Sequence, residues 1–261
     1  LTLADGRVHL NLIDSSRQLF ELDPDAVIES ENGWLFGAGS PSHPVISNAA
    51  FRSDDSVDAE EFIARAKHFF AARGRGFSTW IRGEQSEDQD LTTAATAAGL
   101  HLIYEMPEMV LGSPVGEPSL PLGAELRQLS EAGQADDYWK VAAASYMSIG
   151  FPPEVFSGYS NHTGLLAKNV AAFIAYLDGE PVSIAMTIVS HGVAGIYWVG
   201  SLEQARGKGL GWAITAAATN AGFKLGAELA SLQASPMGKP IYEAMGYETV
   251  FDYRLLMSPP P

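Results

Sequence analysis

The sequence predicts an α/β (α+β) fold in two halves, and three observations carry that reading. The stretch GSPVGEPSLPLG, residues 112–123, holds three prolines and three glycines, which excludes regular structure and divides the chain. The apolar block 170–201 carries turn signals at Asp178-Gly179 and His191-Gly192 and so folds back twice as an antiparallel meander. The hexapeptide RGKGLG (206–211) then joins the aromatic-rich end of that block to the alanine-rich run WAITAAATNAGF. The 261 residues thus divide into a domain 1–112, a linker 113–123 and a domain 124–261, each half of ordinary domain size.

In the first half, EEFIARAKHFFAARG sets Phe62, Ala66, Phe69 and Phe70 on one helical face, and FSTWIR follows as a short strand. DQDLTTAATAAGL reads as a capped helix closed by Gly99, and HLIYEMPEMVL as strand-like. After the linker, AELRQL suggests a strand and QADDYWKVAAASYMSIG a helix with Trp139, Ala143 and Tyr146 on one face, ended by Phe151-Pro152-Pro153. Three meander strands follow. Beyond the glycines, Leu210, Ile214, Ala217, Ala221 and Leu225 are spaced 4, 3, 4 and 4, the stripe of a helix that Gly226 stops. LASLQAS is then a strand, GKPIYEAMG a short helix, and TVFDYRLLM a last strand with Phe251, Tyr253, Leu255 and Met257 on one face.

Composition bounds the function. There are 16 basic and 31 acidic residues, a formal charge of −15, and such a field repels phosphate backbones, so no nucleic-acid partner is expected. Residues 1–120 carry 8 basic and 19 acidic groups (−11) against 8 and 12 (−4) in 121–261. That excess serves either solubility or attraction of a cationic substrate. No window approaches a membrane span, no membrane partner is expected, and no signal segment stands at the front. Cysteine is absent, which excludes disulfides, thiolate metal sites and a cysteine nucleophile and fits the cytoplasm. No metal site is expected.

The glycines sit where a strand feeds a helix. The first turn of a helix has unpaired N–H groups and a positive dipole end, and glycine lets an anion approach them closely; Arg206 and Lys208 add charge. A phosphate or pyrophosphate site is the expectation, with a tight turn bearing two solvated cations as the alternative. RGRGFS (73–78) has similar letters but follows a helix and precedes a strand, so it reads as a helix stop. A Walker A loop would need Gly-Lys-Ser/Thr, and a dinucleotide fold would need parallel βαβ units; neither is present.

The order of meander, Arg-x-x-Gly-x-Gly, alanine-rich helix, strand and Tyr-bearing short helix resembles the GNAT N-acetyltransferase superfamily over about residues 124–257. Arg206, Gly209 and Gly211 fall on its signature positions, and IYEAMGY (241–247) is similar to its second signature, Leu-Tyr-x-x-x-Gly-Phe. The resemblance implies a mixed, mostly antiparallel sheet flanked by helices. It implies acetyl-CoA as co-substrate, with the pyrophosphate on Arg206, Gly207, Lys208, Gly209, Leu210 and Gly211 and the pantetheine along Val199, Gly200 and Ser201. An amide of that strand would polarise the thioester carbonyl. Tyr242 falls where many members keep the acid that protonates the departing thiolate; the alternative is a core tyrosine. A thiol with a pKa of about 8.5 leaves well, and a phenol near 10 stays protonated at neutral pH.

Two positions depart from the family. Ser235 stands where an Asn often helps to hold CoA, and Glu203 where a proline commonly precedes the loop. Glu203, His191 and His162 are candidate bases, although direct attack after water-mediated deprotonation needs none. The first half resembles the degenerate N-terminal halves of tandem GNAT proteins, a second, smaller α/β domain without a loop of the right context, so one acyl-CoA site per chain is expected. That half is free to wall the acceptor pocket, form a homodimer surface or bind a regulator. The function implied is transfer of an acetyl group to a primary amine of a small molecule or peptide; the alternative is a non-catalytic acyl-CoA-binding regulator.

Overall fold

The computed structural model describes residues 3–31, 33–83 and 88–261. The first half contains α1 (Leu3–Phe20), β1 (Val27–Glu31), β2 (Trp34–Ala38), β3 (Asn48–Arg52), α2 (Ala59–Ala71), β4 (Phe77–Arg82), α3 (Gln89–Ala97) and β5 (His101–Leu111). The second contains β6 (Ala124–Gln128), α4 (Ala135–Met147), β7 (Val170–Leu177), β8 (Glu180–Ser190), β9 (Val193–Ser201), α5 (Leu210–Lys224), β10 (Leu229–Gln233), α6 (Lys239–Ala244) and β11 (Glu248–Ser258).

Local chemistry fixes the helix ends. The Asp58 carboxylate caps α2 by accepting the Glu61 N–H at 2.9 Å, and Gly74, at φ +64°, turns the chain out so that the Arg75 N–H reaches the Phe70 carbonyl. RGRG is therefore a helix stop. Gly226 ends α5 in the same way, at φ +97°. The apolar stripe expected on α5 is corrected: Leu225 is 41% exposed, whereas Ala213, Ala216 and Ala218 are fully buried. The reason is that α5 is enclosed on most sides, so no single stripe describes it. One of its neighbours is the proline-rich segment 112–123, where Asn220 grips the Val115 backbone with its amide oxygen (2.9 Å) and its amide nitrogen (3.0 Å).

All eleven strands form one sheet, in the order β1-β2-β3-β4-β11-β5-β10-β9-β8-β7-β6. Read outward from the central β11–β5 pair, the two sides repeat each other: an antiparallel neighbour (β4 or β10), a parallel one (β3 or β9), then antiparallel strands. The last strand of each half is inserted into the other, because β5 lies between β10 and β11, and β11 between β4 and β5. The meander 170–201 is β7, β8 and β9, paired in sequence.

The core follows from this order. On one face α1 and α4 cover a cluster that joins both halves, including Leu12, Ile13, Phe51, Tyr138, Trp139, Ile184, Tyr253 and Leu255. On the other face α2 and α3 cover one cluster (Phe36, Phe62, Phe70, Phe77) and α5 and α6 another (Ile196, Leu210, Ile214, Leu232, Tyr242). Leu255 and Leu256 of β11 point to opposite faces, as strand alternation requires.

Candidate functional site

Strands β9 and β10 pair at only three positions, Val193 to Leu229, Ala194 to Ala230 and Gly195 to Ser231. Beyond them they diverge. Residues 196–201 keep β8 as a neighbour but have no β10 partner, which opens a V in the sheet. A bulge on β9 sets Trp198 and Val199 against the single Ala185, with Trp198 at φ +51°; a bulge bends its strand and leaves a residue out of the ladder. Gly200 is required by close packing, since a Cβ there would lie 2.3 Å from Ser145 Oγ of α4.

At the mouth of the V, a 3-10 turn (Glu203–Ala205) leads into Arg206. Gly207 and Gly209 adopt φ +73° and +80°, and a Cβ at either would meet nothing within 4 Å, so the backbone there borders open space. Gly209 is the N-cap of α5 and supplies no side chain, and the first backbone bond is Ala213 N–H to the Gly209 carbonyl. The leading amides of α5 are thus presented outward with the positive end of the helix dipole. Arg206 is folded back: its Nε donates to the Ser201 carbonyl at 3.3 Å and its Nη2 to Ser148 Oγ. Lys208 is exposed.

The walls of the V carry two phenols. Tyr242 of α6 is 7% exposed, and burial pushes its phenol up to about 12. The Tyr146 hydroxyl donates to the Val199 carbonyl at 3.4 Å, and burial, then the neighbouring Tyr242, raise its phenol too. Both stay protonated at neutral pH. Ser235 is exposed and its Oγ accepts the Gly238 N–H at 3.1 Å, holding the turn into α6.

The structure separates the other candidates. His191 sits at the tip of the β8–β9 hairpin, bonded to Asp14 at 2.7 Å, at the end of β9 remote from the glycines. His162 lies 3.7 Å from Asp136 in a 3-10 turn, and Glu203 is exposed beside the loop. Among the described residues no His, Asp or Glu group is arranged to hold a metal ion, and no helix is long and apolar enough to cross a membrane. Composition and spacing missed Trp198, Tyr146 and Gln233, the last residue of β10.

The corresponding place in the first half is built the opposite way. Strands β3 and β4 pair in parallel at Ala49 to Ser78 and Ala50 to Thr79, then diverge. The loop into α2 is SDDSVD (53–58), whose Asp58 already caps the helix, so an anion would meet carboxylates. The diverging strand ends are bridged through Asp88, which accepts from Arg52 at 3.0 Å and from Arg82 at 2.8 Å. Arg52 also holds Asp90 at 2.7 and 2.8 Å. Burial alone would raise the Asp88 carboxyl, but the Arg82 bonds and charge outweigh it and hold it down at about 2. Burial and then Arg82 lower His9 to about 4, so it is neutral. Its Nε2, 2.9 Å from the Arg52 carbonyl, carries the hydrogen, and Nδ1 accepts from Tyr253.

No protein-family model matches the sequence, and no curated protein matches it. Solved structures do match over nearly its whole length. A GCN5-related N-acetyltransferase from Kribbella flavida superposes with a TM-score of 0.69 at 20% identity, covering 95% of this chain and 94% of that one. Another, from Sphaerobacter thermophilus, gives 0.64 at 13% identity over 98% and 93%. A tandem GNAT protein from the clavulanic acid biosynthesis pathway gives 0.62 at 13% identity over 95% of each chain. The chain therefore has the fold of the GCN5-related N-acetyltransferases, in the tandem form.

Proposed function

We propose that the protein is an N-acetyltransferase that moves an acetyl group from acetyl-CoA to a primary amine of a small molecule or peptide. The observation that carries this is the uncapped N-terminus of α5, with two positive-φ glycines bordering open space, at the mouth of a V whose wall is a bulged strand. Acetyl-CoA supplies an activated acyl carbon on a good leaving group. The amides of 206–211, with Lys208, hold its pyrophosphate, and Val199, Gly200 and Ser201 hold its pantetheine arm by backbone hydrogen bonds. An amide at the bulge stabilises the charge that develops on the carbonyl oxygen. The amine nitrogen bonds to the acyl carbon as the C–S bond breaks; the amine proton leaves to water, the Tyr242 proton goes to sulfur, and water returns a proton to the Tyr242 phenolate. Ser235 stays close to the CoA path as a hydroxyl in place of an amide. The cytoplasm is the compartment that fits, and neither nucleic acid nor membrane is a partner.

The experiment is CoA release, read as free thiol, with acetyl-CoA and a panel of amines. Release that depends on amine is expected. Tight acetyl-CoA binding with no release on any amine would leave the second reading, a non-catalytic acyl-CoA-binding regulator. Independently, CoA is expected to raise the melting temperature of the wild type and not of Gly209→Asp, whose carboxylate would repel the pyrophosphate. Gly74→Ala, in the other glycine pair, is expected to keep the CoA-dependent increase. Loss of the increase there would mean that the anion site was placed on the wrong loop.

A further inference from the structure

The exchanged strand brings a carboxyl group to the V. Glu108 of β5 lies in register with Gln233 of β10 and Phe251 of β11 and is fully buried. Its Oε2 accepts the Gln233 Nε2–H at 2.6 Å, and the Ser231 hydroxyl of β10 faces the same buried carboxyl. Gln233 is two residues past the last β9–β10 pair, so it stands on the open wall of the V, and it is only half-buried. Its neighbour Leu232 packs under α5 and α6 with Tyr242. Alternation therefore turns Gln233 to the other face, that of α1 and α4. The V thus has the Tyr242 phenol on one side and, on the other, the face that also carries Tyr146, an amide tethered among the described residues by a buried carboxyl from the opposite half.

We propose that Gln233 receives the acceptor amine and that Glu108, contributed by the N-terminal half, is the positioning residue that orients it. The proposal rests on the acetyltransferase reading. An amide side chain has one donating and one accepting end. While Glu108 accepts from the NH₂ end, the carbonyl oxygen of Gln233 is turned away from Glu108 toward the V, where it accepts an N–H from the amine and leaves the nitrogen lone pair free for the acyl carbon. A free side-chain amide on a strand end would sample both orientations, and its fixed one is what the buried partner provides. Among the described residues the groups that face Glu108 are uncharged ones: Gln233 and Ser231 from β10, Tyr197 from β9 and Tyr253 from β11. Burial pushes its carboxyl up to about 8, so at neutral pH it carries one proton, and it orients Gln233 through Oε2, the unprotonated oxygen, which accepts from the NH₂ end. The N-terminal half, which carries no glycine loop of its own, is in this way part of the acceptor site.

The test uses the full chain and, as probe, the fastest substrate among tyramine, spermidine, glucosamine and glycylglycine. Gln233→Leu is expected to lower kcat/KM for the amine about ten- to thirty-fold, the worth of one hydrogen bond to an amine, with KM for acetyl-CoA unchanged. Glu108→Leu should raise the amine KM by a similar factor, and Glu108→Gln, whose own amide oxygen can accept from Gln233, should recover most of the loss. The double variant Glu108→Leu/Gln233→Leu should be no worse than Gln233→Leu alone, because one residue acts through the other. Folding is checked by thermal melts. A Gln233→Leu form within twofold of wild type, or additive losses in the double variant, overturns this assignment while leaving the acetyltransferase reading intact. A wild type that releases no CoA with any of the four amines while still binding acetyl-CoA overturns both.

Discussion

Replacing Asp88 with Asn tests how the first half holds its diverging strands. The carboxylate lies between two guanidiniums, with Arg52 1% and Arg82 5% exposed on their side chains. An amide keeps the shape but not the charge, so two buried cations would lose their shared anion, while Asp90 still pairs with Arg52 and Asp55 with Arg82 at the more exposed side. Breaking a buried pair from one side costs about 3–5 kcal/mol, and that is the loss expected at pH 7. The pH dependence is a second, separate number. A carboxyl held at about 2 against about 3.8 when unfolded favours the native state by roughly 2.4 kcal/mol at neutral pH, since each unit is about 1.36 kcal/mol. Because the folded value is depressed, this contribution is complete above pH 4 and is lost as pH falls toward 2; about half is gone by pH 3. Urea denaturation of both forms at pH 7, 4 and 3 measures both quantities. The reasoning is wrong if Asp88→Asn costs under about 1 kcal/mol at pH 7, or if the gap between the two forms does not narrow on acidification.

Three further outcomes are expected. Tyr242→Phe should lower kcat roughly tenfold to a few hundredfold with little change in KM for acetyl-CoA, because protonation of the thiolate occurs only as the bond breaks; an unchanged kcat with chemistry rate-limiting would make Tyr242 a packing residue. Glu108, with its folded pKa raised to about 8, contributes stability that is whole below pH 4.5 and is lost as pH rises through 8, up to about 5 kcal/mol in total. Glu108→Gln should therefore be less sensitive than wild type between pH 5 and 9 in chemical denaturation, and parallel curves would contradict this. Gly222→Ala places a Cβ 2.3 Å from that of Ala194 where α5 crosses β9, and should cost about 1–3 kcal/mol by urea denaturation; a stabilised variant would refute the close approach of α5 to β9 as the reason for glycine.

What was legible in the sequence was local. The glycines at 206–211, the turns at Asp178-Gly179 and His191-Gly192 and the stop at Gly226 each depend on a few adjacent residues, and each lies where its chemistry indicated. Helix α1 escaped because its buried side carries His9, Asn11 and Ser15 among Val8, Leu12 and Ile13. His9 and Asn11 are satisfied at a distance, His9 by Tyr253 and the Arg52 carbonyl, and Asn11 by donating to the Ile188 and Val193 carbonyls and accepting from Tyr197, so no apolar stripe announces the helix. The α5 stripe was misplaced because Ala fits anywhere on a helix enclosed on most sides. Gln233 and Glu108 were invisible for a different reason. Their meeting requires β5 to cross into the other half, and nothing in HLIYEMPEMVL names its neighbours, which lie 119 to 156 residues away (230 − 111 and 257 − 101).

The crossing of β5 and β11 also sets a timetable for synthesis. Strand β11 ends at residue 258 and β5 at residue 111, so 147 residues are made between them. At about 5–20 residues per second, that interval is roughly 7–30 s. Until β10 is made, at residue 233, β5 has neither of its neighbours, and throughout the interval β4 has no antiparallel neighbour; both carry apolar side chains that the finished fold covers, Phe77, Ile81 and Met109 among them. A nascent chain with two uncovered strand edges is a target for other chains and for holding chaperones. The first half is translated first and completed last, and its native state arrives only together with that of the second.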